Sequence, residues 1–231
     1  MKRYGSLPLI YQPGERWLYN SGSEILGVLI SRVAGTSFGA FLDDRIFAPL
    51  GMKDTAFNVP PADHSRFATA YARDRATQAL KVFDDPMTGK FSSPPVFENG
   101  SAGLVSTADD FNAFAQMMLN GGRLGSERIL SRPSVELMTS DQLTPEQKQG
   151  SELLLDDNRG WGMGLSVLTK RDDLCNVPGR FGWDGGYGTS WYSDPKENLT
   201  GILLTQRLME SPQPPAVFRD FWTSAYQAID D

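Results

Sequence analysis

The feature that most constrains this fold is a change of apolar period near Gly160. Before it, apolar residues recur at helical spacing; after it, short strand-like runs alternate with glycine-rich turns. Ile25, Leu26, Leu29, Ile30 and Val33 fall on one helix face, with Ser21 and Glu24 spaced as a capping box and Gly35 as the stop. Ser37 is placed to cap a second helix carrying Phe38, Phe41, Leu42 and Ile46, ended by Pro49 and Gly51. A third helix runs from a Ser106 or Thr107 cap to Leu119, with Asp109 and Asp110 at the positive end of its dipole. Ser131 before Pro133, and Thr144-Pro145 with Gln147, mark two further helix starts. Phe67 to Tyr71 and Leu80 to Phe83 read as short strands between these helices.

Past Gly160, Trp161 to Leu168 reads as a strand and Phe181 to Gly188 is rich in glycine. Tyr187 to Tyr192 and Leu199 to Gln206 read as a hairpin, and Ala216 to Ile229 as a helix burying Phe218, Phe221, Trp222 and Tyr226. The expected fold is α/β of the mixed α+β kind, in one domain. Residues 14–150 form a mainly helical lobe, and residues 160–231 supply antiparallel strands and a C-terminal helix.

Hydrophobic residues make up 40% of the chain and charged residues 22%, enough apolar material for a folded core. The formal net charge of −6 comes from mixed acids and bases. It offers no footprint for nucleic acid or an anionic membrane surface. Cys175 is the single cysteine, which excludes an intrachain disulfide and a thiolate metal cluster. No apolar run approaches the length of a membrane span. No cofactor or metal is expected, and a cytoplasmic location is; a disulfide-free exported protein fits the same composition.

Several residues suggest chemistry on their own. Gly35-Thr36-Ser37-Phe38-Gly39 fits the nucleophile-elbow pattern of α/β-hydrolases, but that motif needs a strand before it and a helix precedes this one. His64 is the lone histidine, in a Pro- and Asp-rich loop, and reads as solvent-exposed. The acidic pairs Asp43-Asp44, Asp109-Asp110 and Asp172-Asp173 read as solvated surface. Tyr19 alone reads as a half-buried aromatic before a helix, and Gly182, Gly185, Gly186 and Gly188 as a bulge or hairpin turn.

Four segments in order change that reading. They are Pro13 to Gly22 (PGERWLYNSG), Arg45 to Met52 (RIFAPLGM), Gly103 to Asp110 (GLVSTADD) and Phe181 to Ser190 (FGWDGGYGTS). Together they resemble the serine β-lactamase-like and penicillin-binding-protein-like hydrolases, in their esterase-type branch. The resemblance implies that Tyr19 assists proton transfer, with Asn20 or Ser21 as its partner position at the substrate. It implies that Trp183, Asp184 and Gly185 line the substrate cleft, and that the N–H of Gly186 donates to an oxyanion. Trp at the position of a lysine or histidine disfavours carboxylate-anchored β-lactams and favours small ester-like substrates, amides being the wider class.

The family also uses a Ser-x-x-Lys element upstream of the tyrosine. Ser193-Asp194-Pro195-Lys196 is the one literal match, and Pro195 breaks the helix that element requires. The expectation is therefore a C-terminal portion of the fold whose nucleophile lies outside this chain. A lysine beside it would supply the positive charge that a phenol needs to act as a base near neutral pH. The alternative is a non-catalytic module that binds a ligand or partner. A sheet edge left open by such a division is expected to associate with a second copy or a partner.

Overall fold

Strand alternation decides how the layers form. The computed structural model describes residues 4–230. The helical part comprises α1 (Ser21–Ala34), α2 (Phe38–Leu42) running through a π-helical turn (Asp43–Phe47) into α3 (Ala48–Leu50), then α4 (Ala108–Leu119), α5 (Arg132–Met138) and α6 (Pro145–Lys148). Two small hairpins interrupt it: β1 (Ala70–Arg73) with β2 (Leu80–Asp84), and β3 (Arg123–Leu124) with β4 (Glu127–Arg128). The sheet follows as β5 (Arg159–Trp161), β6 (Ser166–Leu168), β7 (Phe181–Gly185), β8 (Thr189–Asp194) and β9 (Leu199–Leu204), closed by α7 (Ala216–Gln227).

The five sheet strands pair strictly in chain order and antiparallel throughout, a meander with β5 and β9 at its edges. Because successive side chains point to opposite faces, Val167, Phe181 and Trp191 turn one way. They pack with Ala115, Met117 and Met118 of α4 and with Phe47, Leu50 and Met52. Leu168 and Tyr192 turn the other way, against Trp222 and Tyr226 of α7, with Cys175 and Val177. Helix α7 lies tight on β9: a Cβ on Gly201 would stand 2.6 Å from the Trp222 ring. This is the mixed α/β arrangement expected, an antiparallel sheet between helices.

Most local signals are used as their spacing predicts. Thr107, Ser131 and Thr144 each accept the backbone N–H three residues on, and Thr144 with Gln147 completes a capping box. Gly35 and Gly51 end their helices with left-handed backbone, and Ser37 caps α2. Four readings are corrected. Ser21 is the first residue of α1, not its cap; Asn20 holds the cap position without a side-chain bond. The Glu24 carboxylate instead accepts bonds from Asn99 Nδ2 (3.3 Å) and Ser101 Oγ (3.4 Å), so the neighbouring loop takes the acceptor a box would need.

Trp161 to Leu168 is two strands, folded back where Gly162 N–H donates to the Leu165 carbonyl. His64 is buried and its Nε2 lies 3.1 Å from the Val59 carbonyl. Asp110 is also buried, accepting from the Asp54 N–H (2.7 Å) and Thr55 Oγ1 (2.8 Å), so it braces α4 rather than facing solvent. Both were misread because burial is a tertiary property that their polar neighbours in sequence conceal.

Helix α1 stands apart: Gly27 is its buried residue, while Ile25, Leu26, Leu29 and Val33 lie exposed. Among the described residues no single helix is long and apolar enough to cross a membrane.

Candidate active site

The segment before α1 reaches the sheet because α6 holds it. Trp17 N–H donates to the Gln147 carbonyl (2.9 Å), Gln147 Nε2 to the Gly14 carbonyl (2.8 Å), and Arg16 to the Glu146 carbonyl (2.6 Å). Ser151 Oγ donates to the Trp17 carbonyl at 3.2 Å. These bonds aim Trp17 and Tyr19 at the same face of β5 and β7. Trp161 on β5 is fixed through its own N–H to Asp141 (3.1 Å), whose other oxygen pairs with the half-buried Lys148 ammonium at 2.5 Å.

Four aromatic rings meet there. Tyr19 lies 5.4 Å from Trp183, 5.9 Å from Trp17 and 6.0 Å from Trp161, centroid to centroid. Trp161 stands edge-on to Trp183 at 4.8 Å. Trp183 Nε1 donates to the Tyr19 hydroxyl oxygen at 2.9 Å, across 164 residues of chain. Tyr19 is 44% exposed, so its hydroxyl lines an open surface and not a sealed core. The indole N–H takes one lone pair of the phenol oxygen and leaves the phenol's own proton free to be given to another acceptor.

Gly186 follows β7 immediately. Its carbonyl accepts the Met209 N–H at 2.9 Å, which orients the peptide, and its N–H meets no acceptor among the described residues. A Cβ there would meet nothing within 4 Å, so the space beside its Cα is open. The turn depends on Gly188, at φ +86°, where a Cβ would lie 2.0 Å from the Arg207 carbonyl.

The remaining expected site residues divide. Trp183 lies at the cluster, and Gly185 ends the same strand. Asn20 is half-buried beside Tyr19, and Ser21 is exposed at the start of α1; neither side chain bonds to Tyr19 or Trp183 among the described residues. Asp184 does not face the cluster. Alternation turns it to the α7 side, where it accepts from Ser190 Oγ (2.6 Å) and Tyr192 Oη (3.3 Å). Burial pushes its carboxyl above the usual range, against the Ser190 bond and the Arg159 charge. Its expected role at the substrate is withdrawn, because a strand cannot present Trp183 and Asp184 to one side.

Ser193 is fully buried and bonded to Thr200 Oγ1 (2.9 Å), accepting also from Trp191 Nε1, so it is no nucleophile. Ser37 Oγ caps α2 beside Glu98. Trp17 and Trp161 join the cluster although they were not among the expected site residues: Trp17 lies in the Pro13–Gly22 segment, but nothing local marks Trp161. Among the described residues no group of three or more His, Cys, Asp or Glu is placed to hold a metal.

The Beta-lactamase family model matches residues 1–219. The chain belongs to the beta-lactamase family. Protein Rv1367c of Mycobacterium tuberculosis is 39% identical over 210 residues, covering 87% of this chain and 51% of that protein. Esterase EstB of Burkholderia gladioli is 28% identical over 234 residues, covering 93% of this chain and 56% of its own length. The unliganded selenomethionyl structure of simvastatin synthase LovD from Aspergillus terreus superposes with a TM-score of 0.79 at 22% identity, over 100% of this chain and 61% of that one. That likeness shows the fold. The chain spans about half the length of the curated relatives it matches. Membership agrees with the four ordered motifs and places the chain among beta-lactamase-like hydrolases, a family that includes esterases.

Proposed function

We propose that the whole protein is an acyl-transfer serine hydrolase acting on small esters, with amides as the wider class. The observation that carries this is the Trp183–Tyr19 hydrogen bond, which joins the two motif segments into one open aromatic site. A serine contributed from outside this chain attacks the substrate carbonyl. Tyr19 passes the serine proton toward the leaving alcohol, a role usually worth about 10²–10⁴ in rate. The Gly186 N–H donates to the oxyanion, which typically supplies roughly 3 kcal/mol. Trp17, Trp161 and Trp183 form an apolar wall that suits a hydrocarbon acyl or alcohol group.

The test is hydrolysis of short-chain p-nitrophenyl esters by the whole protein, wild type against Tyr19→Phe. A fall in kcat of about a hundredfold or more, with KM little changed, supports the reading; an equal kcat refutes it. For this chain taken alone, a non-catalytic ligand-binding reading has one observation in its favour: Ser193, of the literal Ser-x-x-Lys match, is sealed inside the sheet. A fluorophosphonate probe then leaves the intact mass of the folded chain unchanged, whereas a stoichiometric adduct overturns it. Self-association or partner association is proposed through the edge strand β9 and the exposed apolar face of α1. A monodisperse monomer in light scattering removes that proposal.

A further inference from the structure

Behind the sheet, away from the aromatic cluster, a cavity of about 220 Å³ opens between α7 and the segment around Cys175. Its defining group is Arg180, 3% exposed. The guanidinium carbon lies 4.2 Å from the Tyr192 centroid and 4.0 Å from the Trp222 centroid, against two rings that stand nearly perpendicular. Nη1 donates to the Cys175 carbonyl at 2.7 Å. Nε and Nη2 have no acceptor among the described residues. These two N–H groups lie on one edge of the guanidinium, the edge that grips a carboxylate with two parallel hydrogen bonds.

Every acid at the cavity is already engaged. Asp184 accepts from Ser190 and Tyr192, and Asp173 Oδ1 accepts the N–H groups of Cys175 (2.8 Å) and Asn176 (2.7 Å). Against those two acids stand three arginines, Arg159, Arg180 and Arg219, so the lining carries an excess cation. Arg159 Nη1 is spent on the Tyr192 hydroxyl at 3.0 Å. A buried cation with a free donor edge is costly unless an acceptor completes it. The rest of the wall, from Pro214, Phe218 and Trp222, is apolar.

We propose that this cavity is a binding site for a small organic carboxylate, its two oxygens on Nε–H and Nη2–H of Arg180 and its hydrocarbon body against Phe218 and Trp222. Inorganic phosphate shares the oxyanion chemistry but lacks the apolar body, and binds more weakly. The site is separate from Tyr19 and Trp183, since Trp183 and its neighbour Asp184 point to opposite faces of β7.

The test is an NMR titration of the chain labelled with ¹⁵N-arginine, following the shielded Arg180 Nε–H signal. Benzoate and butyrate are added at constant ionic strength, with inorganic phosphate as the comparison. A saturable shift of that signal, tighter for benzoate than for phosphate, is expected. Arg180→Lys keeps the charge but not the forked edge, and weakens benzoate binding at least about tenfold. Trp183→Phe leaves it unchanged, which separates this site from the front cluster. If Arg180→Lys does not fold by circular dichroism, the wild-type signal alone decides. An Arg180 signal that does not move at any concentration overturns the proposal, and so does equal affinity in Arg180→Lys. Phosphate binding tighter than benzoate overturns the assignment to an organic carboxylate.

Discussion

Replacing Tyr226 by Phe removes one hydroxyl from the interior and nothing else. Its oxygen donates to Asp194 Oδ2 at 2.6 Å, and Asp194 is 2% exposed. The other carboxyl oxygen is occupied by the Lys196 N–H at 2.9 Å. The ring remains packed among Leu168, Cys175, Val177 and Trp222, so the apolar contribution is retained. What is lost is a hydrogen bond to a buried carboxylate, worth about 1.5–3 kcal/mol, and Oδ2 is left without its donor. With a urea m-value of roughly 3 kcal/mol per molar, the top of the small-protein range, the midpoint falls by about 0.5–1 M. The assay is urea unfolding followed by far-ultraviolet circular dichroism, wild type and variant side by side. A midpoint within about 0.2 M of wild type at the same m-value refutes the claim that this bond holds α7 to the sheet.

Tyr187 and Tyr192 are each pushed up to about 12, chiefly by burial, and Tyr226 is raised further by burial and its bond to Asp194. A tyrosine whose folded pKa exceeds its unfolded value contributes stability below the unfolded value, near 10, that is lost as pH rises. Thermal stability therefore falls steeply between about pH 10 and 12, and a melting temperature constant across that window counts against the buried network. Asp110→Ala leaves the Asp54 N–H without its acceptor and takes one of the two partners of the Thr55 hydroxyl, Ser106 Oγ remaining, and destabilises by about 1–3 kcal/mol; a loss under about 0.5 kcal/mol in urea unfolding restores the surface reading. Trp183→Phe removes the donor to Tyr19 and one ring of the closely packed pair with Trp161. Its near-ultraviolet circular dichroism spectrum loses intensity in the indole region, and an unchanged spectrum means the cluster is not ordered in solution.

What the sequence disclosed is what short-range chemistry determines. Thr107, Ser131, Thr144 with Gln147, and Gly35 act on residues three or four positions away, so spacing alone reveals them. The β8–β9 hairpin was legible for the same reason, since its strands are neighbours in sequence, whereas β5 and β6 read as one strand. Ser21 failed as a cap because Glu24 answers to Asn99 and Ser101, some 75 residues on. His64 and Asp110 look like solvent residues by their neighbours and are buried by remote ones. Tyr19 and Trp183, expected together on motif order, do meet in the aromatic cluster; Trp161 carries no such signal, and Asp184 faces α7 and not the cluster. Its side follows from strand parity once Trp183 is placed.

The single hydrogen bond between Trp183 and Tyr19 has a kinetic consequence. Each pairing in the β5–β9 meander joins neighbouring stretches of chain, and α7 follows directly, so that unit consists of short loop closures. The Trp183–Tyr19 contact spans 164 residues, and the bonds from Gly14, Arg16 and Trp17 to the α6 region span some 130. Loop-closure entropy favours the contact's forming after the sheet. The sheet can stand complete while the aromatic cluster is still apart, so folding measured on strands runs ahead of competence measured at Tyr19.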